Sequence, residues 1–178
     1  MNIVLIGLKS CGKTSVGRAL AAKLGIFFVD TDELIMERHG NPHQSIREIC
    51  LQHGENYFRN LETEVIATLA ALDDAVVATG GGAVLEEENI KNLKKRGRLI
   101  YLDLSFEVWK SRIQQHPLPT FIRNENFADH YDMRNSIYHK IADLTIPVDQ
   151  YSIGEIVDIV IKKAFSLQPS ASSLSYVQ

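Results

Sequence analysis

The chain has 178 residues, of which 45% are hydrophobic, 23% charged and 8% aromatic. This composition is typical of a soluble globular protein, and it excludes a disordered chain or one embedded in a membrane. A net charge of −3 provides no overall positive field that would attract a nucleic-acid backbone, and no apolar run approaches ~20 residues. We therefore expect neither nucleic-acid nor membrane binding.

The first predicted elements are a buried strand, a helix and a second strand. Ile3–Ile6 is a short, β-branched run that ends at a glycine, as in a parallel strand buried on both faces. Over Lys13–Leu24, apolar residues recur every four positions and predict a helix, which Gly25 would end. The next apolar run, Ile26–Val29, predicts the second strand.

Later runs repeat this alternation of strand and helix. Strands are predicted at Ala75–Ala78, Leu99–Leu104 and Leu144–Val148, and helices at Glu55–Leu72, Glu87–Arg96, Asn126–Ile141 and Ile153–Phe165. The series predicts an α/β fold with a five-stranded parallel sheet and helices on both faces. We expect one domain over residues 1–165, followed by a flexible, Ser-rich tail over 166–178.

Two segments interrupt the alternation. Thr31–Gly54 contains two short helical patterns, each ended by a glycine, and predicts an insertion in the core at about 31–62. Gln114–Glu125 is polar and contains two prolines. Long loops of this kind are often mobile lids over active sites, so we predict a lid at about 112–126.

A phosphate-binding motif lies between the first strand and the first helix. Its sequence, GLKSCGKT, matches G-x-x-x-x-G-K-[ST] in the structural context that nucleotide binding requires. The glycines let backbone N–H groups face phosphate oxygens, and the helix N-terminus adds partial positive charge. Lys13 would reach the β- and γ-phosphates, and Thr14 would bind Mg²⁺. The expected nucleotide contacts are Gly7, Lys9, Ser10, Cys11, Gly12, Lys13, Thr14 and Ser15.

Because kinases, motor ATPases and GTPases share that motif, later motifs must indicate the acceptor. Four segments resemble the shikimate kinase family in order and roughly in spacing: Asp30-Thr31-Asp32, Gly54-Glu55-x-x-Phe58-Arg59-x-x-Glu62, Thr79-Gly80-Gly81-Gly82-Ala83-Val84 and Arg134-x-x-x-Tyr138. The resemblance covers about residues 2–160. It implies a P-loop NTPase fold similar to nucleoside-monophosphate kinases. It also implies ATP- and Mg²⁺-dependent phosphorylation of shikimate at its 3-hydroxyl, a step of aromatic amino acid biosynthesis.

Asp32 follows a predicted strand at the edge where open α/β sheets bind ligands. Alternatively, it is only the N-cap of a helix that begins at Glu33. The resemblance implies that Asp32 contacts the acceptor hydroxyl and takes its proton, in a reaction that depends mainly on positioning and charge stabilisation. Asp30 would then lie near the metal, bound to it through water.

Two arginines and three glycines complete the implied acceptor site. Arg59 and Glu62 could also be an ordinary surface ion pair, and Arg134 could lie on a solvated helix face. The resemblance implies instead that both guanidinium groups bind a carboxylate, with Glu62 orienting Arg59. The glycines would allow close approach of the substrate to the backbone. The expected acceptor contacts are Asp32, Arg59, Gly80, Gly81, Gly82 and Arg134.

The lid departs from the family pattern. Shikimate kinases usually have an Arg-Pro-Leu segment whose arginine reaches the ATP phosphates, and the matching positions here are His116-Pro117-Leu118. A histidine is mostly neutral at pH 7 and shorter, so it cannot replace that guanidinium directly. Arg123 could supply the charge from elsewhere on the loop. Arg112 matches the arginine that packs on adenine in the family.

Two other functions stay open, one of them suggested by His116. The chain could be a kinase for another small hydroxylated acid, or a binding or regulatory protein with slow turnover. We expect a cytoplasmic location, because Cys11 and Cys50 show no disulfide pattern, and a monomer. Cys11 is predicted to be accessible to thiol reagents. The following histidines are predicted to be surface or packing residues: His39, His43, His53, His130 and His139.

Overall fold

A computed structural model of the chain describes residues 1–115 and 126–166. Its strands are β1 Asn2–Ile6, β2 Phe27–Asp30, β3 Ala75–Ala78, β4 Gly97–Asp103 and β5 Leu144–Pro147. Its α-helices are α1 Lys13–Leu24, α2 Thr31–His39, α3 Ile46–His53, α4 Glu55–Leu69, α5 Glu87–Lys94, α6 Phe106–Gln114, α7 Phe127–Ile141 and α8 Ile153–Ser166. Helix α6 and a 3₁₀ helix at Ala83–Leu85 are additional to the predicted elements. Among the predicted helices, α4 shows the largest shift, since it ends at Leu69 rather than Leu72.

The five strands form one parallel sheet in the order β2-β3-β1-β4-β5. Strand β1 lies at the centre, where Val4 is in register with Val77 on one side and with Leu99 on the other. All residues of β1 are buried, as expected for a parallel strand covered on both faces. The predicted α/β sheet is therefore confirmed.

Helices cover both faces of this sheet. Leu5 of β1 lies beside Gly17 of α1. The preceding residue, Val4, lies on the face where a Cβ at Gly97 would meet both the Val4 side chain and the Leu93 carbonyl of α5. Because consecutive strand residues point to opposite faces, α1 and α5 pack on different sides. Helix α8 packs with α1, and α7 packs against β4. The predicted helices on both faces are thus present.

Helices α2 and α3 occupy the predicted insertion. They pack with α4 around a small hydrophobic cluster of Ile35, Phe58 and Val65, with Cys50 partly buried against it. A capping box between Ser45 and Glu48 fixes the start of α3. The insertion therefore has apolar packing of its own and is held at one end of the sheet by α4.

Helix α8 begins with the predicted capping box, in which the Ser152 N–H donates to Glu155 and the Glu155 N–H donates to the Ser152 hydroxyl. It continues through Ser166, the residue at which the tail was predicted to begin. Residues 167–178 lie outside the described part, as do His116 and Arg123 of the predicted lid. None of the helices in the described ranges is both long and apolar enough to cross a bilayer.

Candidate active site

A cavity of about 1090 Å³ opens where the strands end. This volume is slightly larger than the usual range for ligand sites, roughly 300–1,000 Å³, so the cavity has room for a nucleotide and a small acceptor together. Apart from Gly7, it is lined by every predicted site residue in the described part of the chain. Gly7 contributes through its carbonyl, which accepts a hydrogen bond from Lys13. The fold thus brings the separate sequence motifs into one site.

The phosphate loop is curled around the Lys13 ammonium. Gly12 precedes α1 with φ 101°, a left-handed conformation that favours glycine. Lys13 is 8% exposed, and its Nζ donates to the carbonyls of Gly7 and Leu8 at 2.8 Å each. The loop's own backbone therefore satisfies the ammonium and positions it at the N-terminus of α1, where phosphate binding is favoured.

The prediction that Cys11 is accessible is wrong. Cys11 is 2% exposed and belongs to the main hydrophobic core. Its Sγ packs so closely under the loop that a Cβ at Gly7 would lie 3.0 Å from it. The side chain turns inward because the loop curls over it, so thiol reagents should reach Cys11 slowly.

Thr14 and Asp30 bring two side-chain oxygens together at the end of the loop. The Thr14 hydroxyl donates to Asp30 Oδ2 at 2.8 Å. Mg²⁺ prefers oxygen ligands and usually takes only one or two protein groups together with phosphates and water, so this pair fits it. The described ranges contain no cluster of three or more His, Cys, Asp or Glu residues that could hold a metal.

The alternative role of Asp32 as an N-cap is wrong. Asp30 is the N-cap of α2, since its backbone is extended and its Oδ1 accepts from the Asp32 N–H at 3.0 Å. Asp32 lies in the first turn, and its Oδ1 is buried without a hydrogen-bond partner among the described residues. Loss of hydration, helped by the charge of Asp30, raises the pKa of Asp32 to about 6, while Lys13 opposes the shift.

Glu62 provides a second buried carboxylate beside Asp32. It is fully buried, and burial raises its pKa although Arg59 opposes the shift. A Cβ at Gly80 would lie 2.8 Å from Asp32 Oδ1 and 3.0 Å from Glu62 Oε1. Like Asp32 Oδ1, Glu62 Oε1 has no partner in the described ranges. Two acceptor oxygens therefore face one small space that only glycine leaves open, as hydroxyl-bearing ligands require.

Arg59 is not a surface ion pair. Its side chain is 15% exposed, and Nη1 donates to the fully buried Glu62 at 2.7 Å while Nη2 donates to Glu55 at 3.0 Å. A Cβ at Gly82 would lie 2.6 Å from Nη2, so the glycine loop packs directly on the guanidinium. Because burying an ion pair costs solvation energy, this arrangement is expected where the charge has a use.

Arg134 is likewise not on a solvated face. It is 5% exposed, and its Nη1 donates to the Gly81 carbonyl at 2.9 Å. The Tyr138 hydroxyl donates to the same carbonyl, and the Tyr138 ring stacks on Tyr101 at 5.0 Å. Tyr138 was part of the motif but not of the predicted site. Its contact is with a backbone carbonyl, which residue type alone does not indicate.

The wall near the phosphate loop comes from α6 and from the segment after β5. Arg112 Nη1 donates to the Ser10 carbonyl at 3.3 Å, which places this arginine beside the loop. Trp109 is fully buried and stacks on His130 with ring centroids 6.0 Å apart, so the predicted packing role of His130 holds. Tyr151 and Ile153 also line the cavity. No sequence motif predicted that these two residues line the cavity.

A phosphate loop, a pair of oxygen-bearing side chains that fit Mg²⁺, and an opposing pocket of carboxylates and guanidinium groups define a phosphate-loop kinase of a small polar acceptor. The family model for shikimate kinase matches residues 9–164, and the chain belongs to the shikimate kinase family. The predicted resemblance is therefore confirmed.

Relatives and solved structures agree with this assignment. Shikimate kinases of Thermodesulfovibrio yellowstonii and Haemophilus influenzae are 39% and 36% identical to the chain, over 91% and 89% of it and 94% and 92% of their own lengths. The structure of shikimate kinase from Acinetobacter baumannii in complex with shikimate is 32% identical, with a TM-score of 0.83 over 93% of both chains. The similarity thus spans the site as well as the fold.

Proposed function

We propose that this chain transfers the γ-phosphoryl group of ATP to the 3-hydroxyl of shikimate, as a Mg²⁺-dependent kinase. The observation that carries the proposal is the pair of buried carboxylate oxygens, Asp32 Oδ1 and Glu62 Oε1, which face one space at Gly80 and have no partner among the described residues. The family supports the same reaction. It does not favour either a kinase for another acid or a regulatory protein.

In the proposed reaction, Asp32 accepts the proton of the acceptor hydroxyl. The hydroxyl oxygen bonds to the γ-phosphorus, the bond to the bridging oxygen breaks, and ADP leaves. A carboxylate with a pKa of about 6 is mostly ionised at pH 7, yet it holds a proton better than an ordinary aspartate. Its position opposite the phosphate loop supports this role, since both line the same cavity.

On the donor side, Lys13 would exchange the carbonyls of Gly7 and Leu8 for the β- and γ-phosphates. Thr14 would hold Mg²⁺ directly and Asp30 through water, as their 2.8 Å contact supports. When bound, the metal neutralises phosphate charge. Arg112, beside the loop at Ser10, is positioned to pack on the base.

On the acceptor side, Arg59 and Arg134 would bind the shikimate carboxylate with the paired donors of their guanidinium groups. Both arginines are already fixed: Arg59 by Glu62 and Glu55, and Arg134 by the Gly81 carbonyl. Such prior ordering lowers the entropy lost on binding. The glycine loop would leave room for the ring.

We also propose that the protein acts as a cytoplasmic monomer. The described lining of the cavity comes from a single chain, so no second copy is needed to complete the phosphate loop and the acceptor pocket. Cys11 and Cys50 are free thiols, which suits a reducing compartment. Its partners would be ATP and shikimate.

An ADP-release assay with shikimate tests the proposed reaction. Turnover should require shikimate, and Asp32→Asn should lower kcat by about 10²–10⁴-fold with ATP affinity unchanged. In the wild type, kcat/KM should fall as the pH drops below about 6, because a protonated Asp32 cannot accept the hydroxyl proton.

Asp73→Asn is the matched control for this assay. Asp73 is half-exposed and precedes β3, at the opposite end of the sheet from the cavity, so its substitution should leave turnover unchanged. Turnover that is independent of shikimate, or that survives Asp32→Asn, would contradict the proposal.

A further inference from the structure

Helix α3 places one more guanidinium group in the cavity, that of Arg47. Arg47 was not among the residues expected to bind a ligand, since it belongs to none of the family motifs. It lies in the first turn of α3, next to Ile46, which packs on the hydrophobic cluster of the insertion. The same insertion and the adjoining α4 carry Asp32, Arg59 and Glu62. Arg47 is therefore on the acceptor side of the cavity.

The Arg47 guanidinium has no acceptor within the described ranges. Its Nε is buried without a hydrogen-bond partner, and no ion pair joins its side chain to the residues described. The adjacent carboxylate, Glu48, is already engaged, because its Oε2 accepts from the N–H and the hydroxyl of Ser45. By contrast, Arg59 has two carboxylate partners. A buried N–H without an acceptor is destabilising, so this arrangement suits a donor that is kept for a ligand.

The position of Arg47 in its helix supports the same conclusion. The N-terminal turn of a helix carries partial positive charge, and a cation there weakens the helix. Glu48, in the same turn, has the favourable sign and forms the capping box. A residue that stabilised α3 would not be an arginine at this position. The combined field of the guanidinium and the helix N-terminus attracts an anion from the cavity.

We infer that Arg47 is a specificity-determining residue that binds the carboxylate of the acceptor from the α3 side, as a third guanidinium beside Arg59 and Arg134. This inference rests on the proposed function, in which the acceptor is a carboxylated polyol. Arg59 and Arg134 are held by protein groups and orient the carboxylate, whereas Arg47 donates N–H groups that have no acceptor in the described chain. Its effect falls on acceptor affinity and not on the rate of phosphoryl transfer.

Titration calorimetry of shikimate and its neutral methyl ester, combined with steady-state kinetics, tests this role. Arg47→Met should weaken shikimate binding and raise its KM by about 10-fold, with kcat and the KM for ATP within about twofold of wild type. Arg47→Lys, which keeps the charge but loses the planar fork, should recover part of the affinity. The methyl ester should bind wild type and Arg47→Met equally, because it has no charged carboxylate.

Arg38→Met is the matched control, since Arg38 lies in the same insertion but is half-exposed and paired with Glu64 at 3.0 Å. It should leave shikimate affinity unchanged. The melting temperature separates binding from structure: Arg47→Met should melt at or above the wild-type temperature, because a cation leaves the first turn of α3.

Three results would overturn the inference: unchanged shikimate affinity in Arg47→Met, an equal loss for the methyl ester, or a loss confined to ATP. Wild-type turnover with shikimate tests the proposed function separately. If shikimate binds but is not phosphorylated, that function fails, and the binding series still decides the role of Arg47.

Discussion

The two halves of the cavity differ in how their polar groups are satisfied. On the phosphate-loop side, Lys13 is held by two loop carbonyls and Arg112 by a third. On the acceptor side, Asp32 Oδ1, Glu62 Oε1 and Arg47 Nε are buried with no hydrogen-bond partner in the described part of the chain. In the donor half both cationic side chains have protein partners, although the neutral Trp109 Nε1 is buried without one in the described ranges. In the acceptor half the groups without partners are two carboxylate oxygens and a guanidinium N–H, which a polar ligand could satisfy.

This difference has an energetic consequence. Buried polar groups without partners each cost on the order of 1–3 kcal/mol, so the acceptor half lowers the free energy of unfolding of the free protein. The small hydrophobic cluster of Ile35, Phe58 and Val65 helps to hold the insertion in place despite that cost. The groups that suit the site to a ligand therefore make the free protein less stable. Substitutions in the two halves should change the free energy of unfolding differently.

The largest effect on the KM for shikimate is expected where the acceptor space is filled. Gly80→Ala would place a methyl group within 3.0 Å of both Asp32 and Glu62, so the carboxylates must move apart. We expect the KM for shikimate to rise by about 10–100-fold and the free energy of unfolding to fall by about 1–3 kcal/mol. The KM for ATP should change little, as steady-state kinetics with each substrate in turn would show.

Gly154→Ala is the control for that substitution, because a Cβ at Gly154 would meet no atom within 4 Å. It should leave the KM for shikimate unchanged, and it should raise the unfolding free energy slightly, since alanine is the better helix former. An unaltered KM for shikimate in Gly80→Ala would show that the acceptor does not enter the space between the carboxylates.

A smaller effect is expected on stability from Asp32→Asn. The folded pKa of Asp32, about 6, lies above the ordinary value of 3.8, so its ionised form destabilises the fold. The loss of unfolding free energy caused by ionised Asp32 is absent below about pH 4, grows between pH 4 and 6, and is constant above pH 6. We therefore expect Asp32→Asn to raise the unfolding free energy by about 1–3 kcal/mol at pH 8, and by nothing at pH 4.

Urea denaturation at both pH values measures this difference. Lys13→Met, in the donor half, provides the contrast, because it removes two hydrogen bonds to loop carbonyls and should not stabilise the protein. A gain in stability for Lys13→Met, or none for Asp32→Asn, would remove the distinction between the two halves.

The donor and acceptor halves also differ in how far the sequence predicts them. The phosphate loop is contiguous, and its backbone geometry follows from its glycines and the adjacent helix, so its residues could be assigned individually. The acceptor residues come from α2, α4, α7 and the loop after β3, and only a family resemblance could join them. The spacing of Arg59 and Glu62 is equally compatible with a surface ion pair, because the burial of Glu62 depends on packing between distant segments.

Three features of the site could not be read from residue types. The burial of Cys11 depends on the direction in which the loop curls, and the contact of Tyr138 is with a carbonyl. The missing acceptor of Arg47 is a property of its surroundings and not of its own sequence position. In each case the decisive quantity is which atoms lie nearby in three dimensions, and short-range patterns do not determine that.

The smallest predicted effect concerns the lid, whose residues belong to the donor half by resemblance. His116 stands where the family usually has an arginine that reaches the ATP phosphates, and a neutral imidazole does not stabilise their developing charge. His116→Arg should therefore raise kcat by a few-fold and leave shikimate affinity unchanged, in keeping with a donor-half change. A second variant, Arg123→Met, tests whether Arg123 already supplies the positive charge. If it does, Arg123→Met loses turnover and His116→Arg has no effect on kcat. A change in shikimate affinity in either variant would instead place the lid in the acceptor half and contradict the division.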